Sequence, residues 1–244
     1  MPGRVDGAVA VVIPAFQAAA TIGDVLTRAR RAVPGGRLYV VDDGSADATR
    51  AEAVRAGGGG GGGGGSEGAA VLTHPRNRGK GAALATGIAR ALADGAAVVV
   101  TLDGDGQHPP EDIPRLVGPV VRGEADLVLG ARARTAAMPL GRRWTNWLSA
   151  ALASRIGRVP VTDAQTGFRA FSRAVAEAVQ PGERRYDFET AFLLGALAGG
   201  YRVRSVPVPT IYAGAPSHFR HWMDSWRLAR VFARYGWHIL FGAP

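Results

Sequence analysis

The sequence contains no cysteine. A disulfide framework, a zinc–thiolate site and a cysteine nucleophile are therefore excluded, and the absence fits a reducing compartment. The remaining composition is that of a globular protein, because 47% of the 244 residues are hydrophobic and 20% are charged. A chain of this length is expected to form one large domain, or one domain with a small appendage.

Long hydrophobic runs are also missing. The sequence has no stretch of about 18 or more consecutive apolar residues, which a helix needs to cross a bilayer. Residues 1–7 lack the charged segment and apolar run of a signal peptide. These absences predict a cytoplasmic protein that reaches a membrane only by peripheral contact, at its cytoplasmic face.

Lysine is scarce: Lys80 is the only lysine among 29 basic residues, and the formal net charge is +9. A positive field attracts anions such as nucleic acid, acidic lipid headgroups or phosphorylated substrates. No recognised nucleic-acid motif accompanies this charge, and aromatic residues cluster only near the C-terminus. We therefore expect anionic partners, but no nucleic acid.

Strands and helices are predicted to alternate along the first half of the chain. Short apolar, β-branched runs indicate strands, and apolar residues at helical spacing indicate helices. The predicted strands are residues 8–14, 37–41, 69–73, 96–102 and 126–130. The predicted helices are 21–33, 81–93, 141–156 and 188–198, with another opening at 109–110. A further short strand is predicted at 167–171, and short extended segments are expected at 203–207 and 210–212. This order predicts an α/β fold, with a mostly parallel central sheet flanked by helices.

Two further segments have a distinct composition. Residues 57–66 begin with nine consecutive glycines and predict a flexible surface loop. The run matches a dinucleotide-binding glycine pattern only trivially, since no strand precedes it and no helix follows. Residues 1–215 are predicted to form one domain, and residues 216–244 a C-terminal amphipathic helix.

The C-terminal helix has two sides of different chemistry. At about 100° per residue, one side carries arginines and the adjoining side carries large aromatic residues. The arginines are Arg220, Arg227, Arg230 and Arg234, and the aromatic residues are Phe219, Trp222, Trp226 and Trp237. Two interpretations remain open: the helix lies in a membrane interface, or it packs its aromatic side on the domain.

Carboxylates follow two of the predicted strands. Asp42 and Asp43 end the second strand, and Asp103 and Asp105 end the fourth. Ligands bind beyond the carboxyl ends of parallel strands, so we expect these acids to converge there. Closely packed carboxylates repel unless a cation joins them. A divalent metal with an anionic ligand fits this set, and Gln107 adds a neutral oxygen in the same loop.

Residues 77–81 lie between the third strand and a helix. They are not a P-loop, because Gly81 stands where Ser or Thr would have to follow Lys80. Two interpretations remain open for this segment. It presents backbone amides and Lys80 to an anion, or it only starts the helix.

These motifs, in their order and spacing, carry a family resemblance. They are VVIPAFQ (11–17), VVDDGSADAT (40–49), NRGKGAAL (77–84), LDGDGQHPPEDIPRLV (102–117), GAR (130–132), DAQTGFRAFSR (163–173), YDFETAFLL (186–194) and VPVPTIYAGAPSHFR (206–220). The series resembles the family-two glycosyltransferases of the GT-A fold. It is most similar to the polyprenyl- and dolichyl-phosphate mannosyl- or glucosyltransferases, and the resemblance covers nearly the whole chain.

The resemblance implies roles for individual residues. Those that would contact the nucleotide are Pro14, Phe16, Val41 and Asp43. Asp103 and Asp105, with Gln107, would hold Mg²⁺ or Mn²⁺ against the diphosphate. Arg132 would lie near the sugar and the acceptor phosphate. Those that would help to hold phosphates are Arg143, Arg169, Ser217 and His218.

The implied reaction is the inverting, metal-dependent transfer of a hexose from a UDP- or GDP-sugar to a polyprenyl phosphate. A metal and arginines stabilise the charge that grows on the departing nucleoside diphosphate. The acceptor oxygen is already an anion, so no strong general base is required. We expect Asp163 to orient Arg169 by a charge-assisted pair. Glu189 is interpreted either as structural or as a contact to the acceptor.

Several positions depart from the family pattern, and Tyr212 and His218 stand where mannosyl-type relatives often carry Arg and Lys. Ala18, Ala191 and Ser205 stand where relatives often carry Glu. Two alternatives to transfer onto a lipid phosphate remain open, one motivated by the lack of a predicted membrane span and one by these departures. One is a glycosyltransferase with a soluble or glycan acceptor, and the other is a catalytically silent homologue that binds a nucleotide-sugar.

Overall fold

A computed structural model describes residues 9–58, 68–132, 140–183, 185 and 187–209, with the side chains of 140–145 left undescribed. Most of the predicted glycine-rich loop and the predicted C-terminal helix lie outside the described residues. Ser217 and His218 lie outside them as well. No helix in the described part of the chain has the length and apolarity to cross a bilayer.

The described residues form an alternating series of strands and helices. The strands are β1 (Val9–Ala15), β2 (Arg37–Asp42), β3 (Ala69–Thr73), β4 (Val98–Thr101), β5 (Leu127–Arg132), β6 (Arg169–Ser172) and β7 (Val203–Val208). The helices are α1 (Ile22–Ala32), α2 (Thr49–Ala56), α3 (Lys80–Ala93), α4 (Ile113–Val121), α5 (Leu140–Gly157), α6 (Arg173–Ala178) and α7 (Phe188–Ala198), with a 3₁₀ turn at Pro110–Asp112.

All seven of these strands belong to one sheet, in the order β3-β2-β1-β4-β6-β5-β7. Strand β6 is antiparallel to its neighbours β4 and β5, and the other pairs are parallel. The predicted α/β class and the mostly parallel sheet are confirmed. The antiparallel insertion of β6 was not predicted, because the sequence pattern indicates a strand but not its direction.

Strand β1 is buried on both faces of the sheet. Val9, Val11 and Ile13 join one apolar cluster with α1 and α4. Ala10 and Val12 join the other cluster, which includes residues of α3, α5 and α7. Successive side chains of a strand point to opposite faces, so an unbroken apolar run suits a strand covered by helices on both sides.

Helix α3 lies close to the sheet because of a glycine. A Cβ atom at Gly87 would lie 2.3 Å from Cγ1 of Val12 and 3.1 Å from Cγ2 of Val41. Only glycine fits at this contact without a shift of the helix. The close packing fixes α3 over β1 and β2, and with it the position of Lys80 at the start of the helix.

Candidate active site

The acidic loop that follows β4 is held against α1 and the end of β1. The hydroxyl of Thr21 donates to the carbonyl oxygen of Gly104 at 2.6 Å. A Cβ atom at Gly104 would lie 3.3 Å from the carbonyl oxygen of Pro14. The loop is therefore fixed from two sides at its central residue, and this places Asp103 and Asp105 at the carboxyl edge of the sheet.

Asp103 forms an ion pair with the only lysine of the chain. Nζ of Lys80 lies 2.7 Å from Oδ1 of Asp103 and 2.7 Å from Oε1 of Glu189. Burial acts to raise the pKa of Asp103, but the charge and hydrogen bond of Lys80 outweigh it and hold that pKa below its usual range. Lys80 is thus paired within the acidic site, and its predicted contact with an anionic ligand stays a prediction.

The backbone of Gly167 closes one side of this pair. A Cβ atom at this position would lie 2.6 and 2.7 Å from the two carboxylate oxygens of Asp103, and 2.8 Å from Nζ of Lys80. The hydroxyl of Thr101 donates to the Gly167 carbonyl oxygen at 2.7 Å and so fixes this segment. Any side chain at position 167 would displace Asp103 or Lys80.

Among the described residues, Asp105 has no such cation in contact. In the described part of the chain, its carboxylate accepts one hydrogen bond, from the backbone amide of Gln107 at 3.0 Å. Burial raises the pKa of Asp105, and the nearby charge of Asp103 raises it further. The ionised form of the Asp105 carboxylate is therefore destabilised, and a bound cation would stabilise it.

The donor set fits a hard divalent cation. Among the described residues, no group of three or more His, Cys, Asp or Glu side chains converges on one point. Mg²⁺ does not require such a group, since it is commonly held by one or two carboxylates together with water and substrate phosphates. Asp103, Asp105 and Gln107 offer oxygen ligands of this kind. Which of their atoms bind a metal stays a prediction.

Arg132 pairs with Asp163, and this corrects one expectation. Nε and Nη2 of Arg132 donate to the two carboxylate oxygens of Asp163 at 2.7 and 3.1 Å. Asp163 was expected to pair with Arg169, and that prediction was wrong. Asp163 is fully buried, and burial acts to raise its pKa, but Arg132 holds that pKa below its usual range. A fork of two parallel bonds fixes the guanidinium of Arg132 at the end of β5.

Arg169 is buried and bonded to backbone carbonyls instead. Its guanidinium donates to the carbonyl oxygens of Ala164, Thr166 and Glu189. Burial lowers its pKa to about 10. Because carbonyls in a buried turn need donors, Arg169 ties residues 164–166 to the first turn of α7. Its predicted contact with a phosphate stays a prediction.

Asp43 is held inside the protein at the end of β2. Its carboxylate accepts hydrogen bonds from the backbone amides of Arg78 and Gly79 at 2.9 and 2.8 Å. Nδ1 of His74 lies 2.7 Å from its Oδ1. Asp43 thus anchors the segment that leads into Lys80. Its predicted contact with the nucleotide stays a prediction.

The other nucleotide candidates lie along the ends of β1 and β2. Pro14 and Val41 are opposite each other in the register of these strands, and Val41 is fully buried. Phe16 follows β1 and is 41% exposed. The amides of the next three residues donate to side chains of the loop after β2 and of the first residue of α2: Gln17 to Ser45, Ala19 to Asp47, and Ala18 to Thr49. The exposed ring of Phe16 is therefore carried by an anchored loop.

Two histidines of this region were not found from the sequence. His74 contacts Asp43, as described above. His108 is 3% exposed and packs on Phe168, with ring centroids 5.4 Å apart. Burial lowers the pKa of His108 to about 4, so it is neutral at pH 7. His108 directly follows Gln107 in the acidic motif, and His74 directly follows the predicted third strand. Those positions were the only available signal.

Helix α5 contributes a further part of the site. Its Ser149 accepts a hydrogen bond from Nε2 of Gln165 at 3.3 Å, and the backbone amide of the same Gln165 donates to Asp163 of the Arg132–Asp163 pair at 3.2 Å. Arg143 lies in the first half of this helix, and its side chain is outside the described part. Its predicted contact with a phosphate is therefore not tested by the structure, and the same holds for Ser217 and His218.

Comparison with known proteins decides the family. The sequence profile described as Glycosyl transferase family 2 matches residues 10–180. The chain belongs to glycosyl transferase family 2. Residues of β1, β4 and β5, the acidic loop and the Arg132–Asp163 pair all fall within the matched segment. The fold is the GT-A fold that the sequence predicted, and family-two membership makes the chain a glycosyltransferase.

Relatives within the family span most of the chain. An uncharacterized protein of Methanocaldococcus jannaschii is 35% identical over 209 residues, which are 83% of this chain and 81% of that protein. The polyprenol monophosphomannose synthase of Mycolicibacterium smegmatis is 29% identical over 205 residues, which are 81% of this chain and 75% of that protein. This chain is thus similar to an enzyme named for the synthesis of polyprenol monophosphomannose.

A solved structure supports the same assignment. Glucosyl-3-phosphoglycerate synthase of Mycobacterium tuberculosis, crystallised with Mn²⁺, UDP and phosphoglyceric acid, superposes with a TM-score of 0.71. It is 25% identical, and the match covers 96% of this chain and 80% of that chain. The described α/β architecture is therefore shared with an enzyme that binds a divalent metal and a uridine nucleotide.

Proposed function

We propose that this protein transfers a hexose, with inversion, from a UDP- or GDP-sugar to a polyprenyl phosphate in a metal-dependent reaction. The observation that carries the proposal is the acidic loop after β4. It places two carboxylates at the carboxyl edge of the sheet, one paired with Lys80 and the other, Asp105, with no cation in contact among the described residues. The bound UDP of the M. tuberculosis structure favours uridine as the donor base.

Mg²⁺ or Mn²⁺ would be held by Asp103 and Asp105, with Gln107 as a neutral ligand. When bound, such a metal neutralises charge that develops on the departing diphosphate. The positive charges of Lys80 and Arg132 act on both Asp103 and Asp105, and they would add to that stabilisation. The Asp163 fork keeps Arg132 in one orientation, so that little reorganisation accompanies the reaction.

A lipid phosphate suits the described residues as acceptor. An acceptor oxygen that already carries negative charge needs no strong base. The buried His108, with a pKa of about 4, is a poor base at pH 7. The relative from M. smegmatis is named for a polyprenol acceptor. Helix α5, beside the Arg132–Asp163 pair, carries Trp147 and Leu148 at 47% and 52% exposure. We infer peripheral contact of this helix with the cytoplasmic face of a membrane.

A soluble phosphorylated acceptor is the second candidate. The observation that favours it is the phosphoglyceric acid bound in the M. tuberculosis structure. The donor half of the site is the same for both candidates, and only the acceptor differs. A catalytically silent homologue is the third candidate. Both alternatives are decided by turnover with defined acceptors.

The test uses radiolabelled UDP- and GDP-hexoses, Mn²⁺, and either undecaprenyl phosphate in detergent or phosphoglyceric acid. We expect label in the lipid, and a loss of about 100-fold or more in kcat for Asp105→Asn. Asp24→Asn is the matched control, because Asp24 is 66% exposed on α1, and it should keep wild-type turnover. Label in phosphoglycerate alone would favour the second candidate. Nucleotide binding without transfer to either acceptor would favour the silent homologue.

A further inference from the structure

Lys80 lies between two carboxylates that come from distant parts of the chain. Its Nζ is 2.7 Å from an oxygen of Asp103 and 2.7 Å from an oxygen of Glu189. The side chains of Lys80 and Glu189 are only 19% and 5% exposed. With little water present, each partner strongly affects the other, and removal of one would leave a buried charge unpaired.

Asp103 cannot turn away from this contact without disturbing the backbone. Gly167 packs so closely against it that a Cβ atom there would lie 2.6 and 2.7 Å from its two oxygens. Thr101 fixes Gly167 through its hydroxyl hydrogen bond. A cation that binds Asp103 must therefore share this carboxylate with the ammonium group of Lys80, or displace it.

Glu189 has unused capacity to accept the ammonium group. Its Oε2 atom is buried and has no hydrogen-bond partner among the described residues. An ammonium group has three donors, and two of those on Lys80 point to Asp103 and Glu189. Lys80 can therefore move fully onto Glu189 and satisfy Oε2, so that its charge stays paired when it leaves Asp103.

We propose that Lys80 competes with the divalent metal for Asp103, and that Glu189 is the positioning residue that receives the ammonium group when the metal binds. This inference rests on the proposed function, because it needs a metal at Asp103. Its consequence is ordered binding. The metal binds weakly to the free enzyme, and a nucleoside diphosphate, whose charge attracts both cations, strengthens metal binding.

The test measures Mn²⁺ affinity by the electron paramagnetic resonance signal of free Mn²⁺, with and without UDP. Wild type should bind Mn²⁺ weakly alone and more tightly with UDP. Lys80→Met should bind Mn²⁺ alone at least about tenfold more tightly than wild type. This factor corresponds to the free energy of one pKa unit. The increase in the Mn²⁺ affinity of Lys80→Met on adding UDP should be smaller than the increase in wild type. Equal or weaker binding of Mn²⁺ by Lys80→Met would overturn the proposal.

A double variant distinguishes competition for Asp103 from the general electrostatic effect of losing one positive charge near the metal. Lys80→Met/Glu189→Gln removes one positive and one negative charge, so the local net charge is unchanged, and it leaves no unpaired Glu189. Competition predicts that it also binds Mn²⁺ alone more tightly than wild type. Wild-type affinity in this variant would contradict competition. It carries the test alone if Lys80→Met does not fold, as judged by circular dichroism.

Glu189→Gln should change the Mn²⁺ affinity in the opposite direction. Lys80 then has Asp103 as its only carboxylate partner at this position, so Mn²⁺ alone should bind more weakly than to wild type. Tighter binding would contradict the role given to Glu189. If wild type fails to bind Mn²⁺ even with UDP, the proposed function fails together with this inference. If wild type binds Mn²⁺ with UDP but the lysine variants gain nothing, only the competition fails.

Discussion

His74 and Asp43 form a buried pair across the ends of β3 and β2, with Nδ1 of His74 2.7 Å from Oδ1 of Asp43. The same carboxylate accepts hydrogen bonds from the backbone amides of Arg78 and Gly79, the two residues before Lys80. A single buried side chain therefore fixes the start of α3. The position of the ammonium group at the acidic loop depends on it.

Asp43→Asn tests this dependence. The side-chain amide of Asn has only one oxygen that can accept, so at least one of the backbone amides of residues 78–79 loses its acceptor. We expect a loss of about 1–3 kcal/mol in the free energy of unfolding, and weaker binding of UDP with Mn²⁺. Urea denaturation and calorimetry measure the two effects. Asp24→Asn is the exposed control, and unchanged stability of Asp43→Asn would contradict the account.

Gly167→Ala tests the packing of the acidic site. The new methyl group would meet both oxygens of Asp103, and we expect Mn²⁺ affinity in the presence of UDP to fall about tenfold or more, since overpacking shifts side chains. Gly182→Ala is the matched control, because a Cβ atom there has no neighbour within 4 Å. Mn²⁺ titration of both variants gives the comparison. Wild-type affinity in Gly167→Ala would show that Asp103 is not constrained as described.

The raised pKa of Asp105 predicts a particular pH dependence of stability. The unfolded pKa of this carboxyl is 3.8, and its folded pKa is higher. Such a group destabilises the metal-free protein as pH rises from the unfolded pKa through the folded pKa. Asp105→Asn should therefore melt at a higher temperature than wild type at pH 7 without metal. The difference should disappear below pH 3.8, where Asp105 is protonated in both states. Thermal melts across this range measure it, and a less stable variant at pH 7 would contradict the assignment.

The exposed apolar residues of α5 predict membrane association. Replacement of Trp147 and Leu148 by serine should reduce flotation with vesicles of phosphatidylglycerol and phosphatidylcholine, because apolar area buried at the interface strengthens binding. Val121→Ser on α4 is the control, since Val121 is 47% exposed, like Trp147. Equal flotation of all three proteins would remove α5 from the proposed membrane surface.

The sequence pattern predicted the elements that have strong local signals. Helix α7 was predicted at 188–198 and is found at Phe188–Ala198. Strand β4 was predicted at 96–102 and is found at Val98–Thr101. Its unbroken β-branched run, followed by Asp103, gave both the strand and the candidate metal loop. Helix α6 was missed because its six residues are too few for a periodic pattern.

The partners of charged residues were harder to predict. Lys80 contacts Glu189. Asp163 pairs with Arg132, and not with Arg169, which is nearer in the sequence. Such contacts depend on which strands lie side by side, and the insertion of β6 between β4 and β5 has no local signal. Arg169 was expected to help hold a phosphate because of the family resemblance. In the structure its donors bond to backbone carbonyls.

The central claim is that Asp103 and Asp105 hold a divalent metal together with the nucleoside diphosphate. The most direct measurement is an Mn²⁺ titration by electron paramagnetic resonance with saturating UDP, on wild type, Asp103→Asn and Asp105→Asn. The account predicts one Mn²⁺ per chain in wild type, and a loss of that binding in both variants, each still folded by circular dichroism. Wild-type Mn²⁺ binding that persists in both variants would contradict it.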